Sequence, residues 1–302
     1  MTRAYVIANP KAGKGTVGDR WERLLAVLHD AGLEPIGDLT QGPGHASELA
    51  RRARADGREL VVAAGGDGTV HEVVNGLLAD GATGEVPVLG VLALGSGCDY
   101  VKTFDIPTDL EAAAARLASR EPPVAVDVGE ISYQTSEGPA LRRFANIAEV
   151  GIGAEVVDRA SRLPRWLGGA MYLVAFFQTL PRFAPRSCEI IVDGQRHTAD
   201  ATNVVIAIGR VFGGGMRVAP GADPSDGAFD VQVQTGSKLD YVRQIPKVYK
   251  GTHVPHPKVL ELRGASVEID CDPAALIEAD GEVLGTTPAT FRTLPGALKL
   301  KV

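Results

Sequence analysis

The stretch VVAAGGDGTVHEVVNGL, residues 61 to 77, decides the fold. Its first half is a continuous apolar run, as in a strand buried on both faces, and Gly65-Gly66 ends it. Gly68 and Thr69 then open a helical pattern built mainly from valine and leucine, broken by the polar Glu72 and Asn75. A strand that passes through glycines into a helix is the turn of a parallel α/β unit. Such turns lie at the carboxyl ends of the strands, where open α/β sheets bind ligands. Asp67 is awkward in a bare phosphate cradle, because it repels phosphate unless Mg2+ lies between them. A metal-chelated nucleotide accommodates it; a glycine-rich surface turn also tolerates it without any function.

The same alternation extends to either side. AYVIAN (4–9), EPIGDLT (34–40) and VPVLGVLAL (86–94) read as strands, and 21–32, 45–57 and 108–119 as helices. This series predicts a parallel sheet covered by helices. Two more of its strands end in glycine loops. ANPKAGKGT (8–16) has neither Walker nor dinucleotide-fingerprint spacing. Its glycines admit backbone N–H groups to an anion, and Lys11 and Lys14 add charge; a plain strand-to-helix turn explains it equally well. LALGSGCDY (92–100) repeats the theme, with Asp99 nearby. Three such loops after strands of one sheet converge on one edge, which chance explains poorly.

After Pro122-Pro123 the texture changes to β-branched, alternating segments bounded by turns: AVDVGEISY, RRFANIAEVGIG, CEIIVDGQRHTADATNVVIAIG, GAFDVQVQTG, SVEIDC and ALIEADGEVLG. We expect an α/β domain over residues 1–126 and an antiparallel β-rich domain over 127–295, with one helical insertion near 154–182. The terminal strand ALKLKV, within 296–302, is free to return to the first sheet.

Composition narrows the function. The 302 residues carry a net charge of −6 with 45% apolar content, so whole-protein attraction to nucleic acid or anionic lipid is not expected, and any such contact must come from a local patch. Cys98, Cys188 and Cys271 are widely spaced, odd in number and without metal-ligand spacing. They read as reduced thiols of a cytoplasmic protein. MTRAYVIANP lacks the apolar core of a signal peptide. The longest apolar stretch, 166–180, is shorter than the roughly 20 residues of a membrane span.

GGDGTVHEVVNGL resembles the signature of the diacylglycerol-kinase catalytic domain superfamily, which includes bacterial soluble lipid kinases and sphingosine kinases. NPKAGKG, LTQGPGHA, LGSGCDYVKTFDIP, FANIAEVGIGAEVV, GGGMRVAPGADPSDGAFDV and ADGEVLGTTPATFRTLP match further family segments in order, over nearly the whole chain. The resemblance implies an NAD kinase-like α/β nucleotide-binding domain, a C-terminal β-sandwich, and an active site in the cleft between them. It implies an ATP- and Mg2+-dependent lipid kinase that phosphorylates a hydroxyl of a diacylglycerol-like or sphingoid lipid. Asn9, Lys11, Gly13, Thr40, Gly66, Asp67, Gly68, Thr69, Glu72 and Ser96 would surround ATP. Asp226, with the carbonyl of Ala228, would hold Mg2+. Asp280 and Glu282 would face the γ-phosphate, with Asp280 as general base, and Asp67 would join them in catalysis. This division suits phosphoryl transfer, which needs a neutralised phosphate, an in-line hydroxyl and a proton acceptor. Asp-Gly is also a common hairpin turn, so DGE carries weight only with the other motifs.

Two positions depart from the family pattern. Ser96 replaces the usual threonine and keeps its hydroxyl. Cys98 replaces the usual asparagine and loses a two-donor amide. Alternative readings are an NAD kinase-like enzyme, which shares GGDGT, and a catalytically silent lipid- or nucleotide-binding regulatory protein, which Cys98 favours. For access to lipid, residues 159–186 hold five arginines (159, 162, 165, 182 and 186) among Trp166, Leu167, Met171, Tyr172, Phe176, Phe177 and Phe183, with no Asp or Glu. That mixture suits peripheral contact with a membrane surface; a core helix with a basic rim reads the same way. Exposed edge strands in the second domain leave room for a homodimer.

Overall fold

The computed structural model describes residues 2–95, 97–164 and 170–302, without the side chain of Lys14. The chain divides into two compact units, Met1–Asp127 with Gly296–Val302, and Val128–Pro295.

In the first unit β1 (Thr2–Ala8) leads through a short 3-10 turn into α1 (Thr16–Asp19) and α2 (Trp21–Asp30). Then follow β2 (Leu33–Leu39), α3 (His45–Ala55), β3 (Leu60–Gly65), α4 (Asp67–Leu77), β4 (Val88–Ala93), α5 (Asp99–Thr103) and α6 (Leu110–Ala118). The strands pair in parallel in the order β4-β3-β1-β2. Every residue of β3 is buried, the mark of a strand covered on both faces. On one face Val6, Val62, Ala64 and Leu92 pack against Leu24 and Leu28 of α2 and Ala114 and Leu117 of α6. On the other side α3 crosses α4 so closely that a Cβ at Gly76 would lie 2.2 Å from the Ser47 carbonyl. The chain's last strand does return here: Lys299 and Leu300 pair in parallel with Val88 and Leu89.

The second unit is antiparallel. Its elements are β5 (Val124–Thr135), which begins in the first unit, β6 (Gly138–Phe144), β7 (Ile147–Gly151), α7 (Ile152–Ser161) and α8 (Ala170–Thr179). They continue as β8 (Arg186–Val192), β9 (Gln195–Ala201), β10 (Asn203–Ala207), β11 (Phe229–Gln234), α9 (Lys238–Lys250), β12 (Val259–Gly264), β13 (Ser266–Asp272), β14 (Leu276–Ala279) and β15 (Glu282–Leu300). One layer runs β12-β11-β10-β7-β14-β15; β9-β8-β13 joins β15 as well. The core between them is centred on Phe144, which stacks on Phe229 at 5.8 Å and meets the edge of Phe291 at 6.4 Å. Gly129 makes room for it, since a Cβ there would lie 2.2 Å from the Phe144 ring.

Three details differ from the sequence reading. Helix α4 starts at Asp67 rather than Thr69, because the extended Gly66 already offers its carbonyl to the N–H groups of Thr69 and Val70. Helix α9 has no counterpart in that reading; Ser237 and Asp240 close a capping box at its start and Gly251 ends it in the left-handed region. The cysteines are not all free thiols. Cys188 and Cys271 stand directly opposite each other on β8 and β13 and form a disulfide, leaving Cys98 free and buried. Strand register, which spacing along the chain does not reveal, brings these two sulfurs together.

Candidate active site

In the first unit, the loops after β1, β2, β3 and β4 emerge at one sheet edge, as parallel pairing requires. Backbone hydrogen bonds tie them together: Asn9 N–H donates to Ala64 O, Thr40 N–H to Ala8 O, and Leu94 and Gly95 N–H to Gly65 O. Asn9 also accepts the Lys11 N–H through Oδ1 at 3.0 Å, fixing the first turn. The glycines serve different purposes. Gly13 lies in the left-handed region (φ +58°) and packs against Leu94 O, while a Cβ at Gly95 would fall 2.5 Å from Gly66 Cα. These two loops therefore touch backbone to backbone. Gly68 is exposed, its φ is ordinary, and a Cβ there would meet nothing within 4 Å. Among the described residues nothing demands glycine at Gly68, on the first turn of α4, where helix geometry leaves N–H groups unpaired.

The acidic residues of this edge organise the loops. Asp67 accepts the N–H groups of Asp99 at 3.1 Å and Tyr100 at 3.0 Å, so its carboxylate pins the start of α5. Glu72 accepts Gly44 N–H at 2.9 Å and Ala46 N–H at 3.1 Å and thereby caps α3 from the neighbouring helix. Thr69 is buried, its hydroxyl filling the space beside Gly65. Lys11 is exposed. Cys98 adopts a left-handed conformation (φ 48°) with Sγ facing Gly95 O at 3.4 Å. Burial and the nearby Asp67 carboxylate push its thiol pKa up. Ser96 lies outside the described residues.

In the second unit, Asp280 occupies a left-handed turn (φ 51°) between β14 and β15. Its carboxylate accepts three successive backbone N–H groups, from Ala145 at 2.8 Å, Asn146 at 3.0 Å and Ile147 at 3.3 Å. Its own N–H donates to Ile147 O. Glu282 is paired with Arg142 at 3.2 Å and is partly exposed. The two acids follow one another at this turn, Asp280 held by three backbone N–H groups and Glu282 bridged to a guanidinium.

Asp226 is placed differently from the metal role the resemblance implied. Its Oδ1 accepts Ala228 N–H at 3.0 Å and its Oδ2 is bonded to Arg263. In this arrangement the Asp226 carboxylate is engaged by Arg263 and by the Ala228 N–H, and a guanidinium there competes with a cation for it.

Sequence reasoning missed the backbone donors that hold Asp67 and Asp280, and the arginines that pair with Glu282 and Asp226, because all are tertiary contacts. It also passed over Glu149 and Glu278, buried acids on facing strands. Each is a lone acid within an apolar strand, IAEVG and LIEA, which is a readable anomaly.

A parallel α/β unit followed by an antiparallel β-sandwich is the NAD kinase-like architecture. Residues 3–131 match the family described as "Diacylglycerol kinase catalytic domain", and residues 146–302 match "YegS C-terminal NAD kinase beta sandwich-like domain". A diacylglycerol kinase of Mycobacterium tuberculosis is 30% identical over 302 residues, covering 99% of this chain and 94% of the relative. A protein of Citrobacter koseri named "Probable lipid kinase YegS-like" is 29% identical, covering 96% and 93%. The crystal structure of a diacylglycerol kinase from Bacillus anthracis superimposes with a TM-score of 0.72 at 20% identity, covering 99% and 96%. The chain belongs to the diacylglycerol kinase family of lipid kinases.

Proposed function

We propose that the protein transfers the γ-phosphoryl group of ATP to a hydroxyl of a diacylglycerol-like or sphingoid lipid at a membrane surface. The observation that carries the nucleotide half is the sheet edge where three glycine-bearing loops meet and Gly68 leaves open space. Backbone N–H groups of the Asn9–Gly13 turn and of the first turn of α4, together with Lys11, are the phosphate donors; Thr40 and Ser96 add hydroxyls. Asp67 and Glu72 act chiefly by holding these loops in register. A Mg2+ ion bound with the nucleotide would neutralise phosphate charge beside these donors.

Asp280 is the general base. It takes the proton of the acceptor hydroxyl as that oxygen forms its bond to the γ-phosphorus and the bond to the departing ADP oxygen breaks. The three N–H donors fix the carboxylate without a rotamer search, which suits positional catalysis. Glu282 and Arg142 supply a charge pair beside it.

Membrane contact uses α8 and α9. Tyr172, Leu173 and Phe177 of α8 and Leu239 and Tyr249 of α9 are exposed. The helices are linked by the Phe176–Tyr241 stack at 5.9 Å and by Lys238 Nζ on Pro181 O. Arg162 and Arg186 are committed to Asp158 and Glu155, just ahead of the basic stretch. Arg159 and Arg182, with Arg243, Lys247 and Lys250 of α9, remain the candidates for anionic headgroups. Arg165, Trp166 and Leu167 lie outside the described residues.

Labelled ATP incubated with a panel of lipids and with NAD, using wild type, Asp67→Ala and Asp280→Asn, tests the reading. Label in a lipid that Asp280→Asn abolishes is the expected result. Label in NAD alone would overturn it, and nucleotide binding without transfer would favour a regulatory protein.

A further inference from the structure

Glu149 of β7 and Glu278 of β14 stand directly opposite each other in the antiparallel ladder. Both are buried, at 3% and 0% exposure, so two full charges here would be costly. Donors from elsewhere reach only one oxygen of each: Asn203 Nδ2 donates to Glu149 Oε1 at 2.6 Å, and Gly281 N–H to Glu278 Oε2 at 2.8 Å. The other two oxygens, Glu149 Oε2 and Glu278 Oε1, have no such partner among the described residues. A single proton held between the two carboxyl groups satisfies both.

The same two strands build the Asp280 turn. Ala148 pairs with Ala279, one step from the acid pair, and the N–H groups of Ala145, Asn146 and Ile147 grip the Asp280 carboxylate. Glu278 additionally holds Gly281, the residue after Asp280. We infer that Glu149 and Glu278 are positioning residues, a proton-sharing pair that keeps β14 on β7 and so holds Asp280 in its three-donor cradle. This inference rests on the proposed role of Asp280 as base.

The surroundings favour the protonated pair. Asn203 approaches from β10, Gly153 from α7 (a Cβ there would lie 2.1 Å from Glu149 Oε2) and Tyr241 from α9, where burial and the Glu149 charge push the phenol pKa up. Asp280 adds further negative charge beside Glu278. None of these groups is cationic. Burial is the leading cause that pushes both carboxyl pKa values up, and for Glu278 the Glu149 charge adds to it. When the proton leaves, two carboxylates repel across the β7–β14 pair and the Asp280 turn loosens.

The test combines infrared spectroscopy with steady-state kinetics on the full chain. At neutral pH the wild type should show a buried protonated-carboxyl band that Glu149→Gln and Glu278→Gln each remove. In lipid phosphorylation, kcat of the wild type should fall as pH rises through loss of that band, and Glu149→Gln should abolish this alkaline fall. Glu278→Ala should lower kcat on the order of 10- to 100-fold with less than about a twofold change in ATP KM, and Glu278→Gln should restore most of it. If Glu278→Ala fails to fold, the Gln variants still decide the matter. Absence of the band, or a Glu149→Gln profile identical to wild type, would overturn the inference. Full activity in Asp280→Asn with the band intact would instead sink the base assignment and leave the proton-sharing pair standing.

Discussion

The carboxylate of Asp67 accepts the backbone N–H of Tyr100 at 3.0 Å, joining two glycine loops that lie 33 residues apart in sequence. The aspartate of GGDGT is thereby a structural clasp, whatever else it touches during turnover.

Replacing it should separate those loops. Asp67→Asn keeps the size of the side chain but presents an amide NH2 to at least one backbone donor. We expect a loss of about 1–3 kcal/mol in unfolding free energy, read by chemical denaturation, together with weaker ATP binding by calorimetry. Unchanged stability would mean that the clasp contributes nothing to the fold.

Glu72 offers a second separation of roles. Glu72→Gln removes the charge that caps α3 through Gly44 and Ala46. About 0.5–2 kcal/mol of stability should be lost, and the loop carrying Thr40 should gain hydrogen exchange ahead of the rest of the unit. A variant with normal exchange there but impaired ATP affinity would point to direct nucleotide contact instead.

Cys98 occupies a left-handed backbone position where asparagine is tolerated better than cysteine. Cys98→Asn should therefore gain about 0.5–1 kcal/mol in thermal denaturation. In the wild type, burial and Asp67 keep the thiol protonated, so alkylation near neutral pH should wait for unfolding. Rapid labelling of the native protein would contradict that.

Stability should also depend on pH through Glu149. Its folded-state pKa is pushed up to about 7, above that of an unfolded carboxyl. Its contribution is therefore fully present below the ordinary carboxylate range and is lost as pH rises through the folded value. The difference in melting temperature between Glu149→Gln and wild type should move in favour of the variant between about pH 4.5 and 7. A constant difference would show that Glu149 is not buried in the folded state as described.

Membrane contact by α8 and α9 predicts that Phe177→Glu and Leu239→Glu weaken sedimentation with anionic phosphatidylglycerol vesicles by several-fold. Their activity on a detergent-dispersed lipid should change far less. Equal binding by both variants would remove these helices from the interface.

Local pattern made the architecture legible. Continuous apolar strands with glycine exits read as a parallel sheet, and the alternating segments after Pro122-Pro123 read as antiparallel, because side-chain periodicity reports which faces are buried. Helix α9 escaped, since Pro246 interrupts its pattern and it buries no residue completely. The Cys188–Cys271 pairing escaped because register across β8 and β13 is set by side-chain packing rather than by spacing along the chain.

The candidate site divides in the same way. The sequence by itself determined which residues recur in order and which loops follow strands, and hence the kinase family, because each motif is a local backbone requirement. Only the tertiary structure decided what the charged groups do. Asp67 clasps α5, Glu72 caps α3, Asp226 meets Arg263, and Glu149 faces Glu278. The role of a carboxylate is set by the donors and charges within a few ångströms of it, and folding brings those from residues distant in the chain.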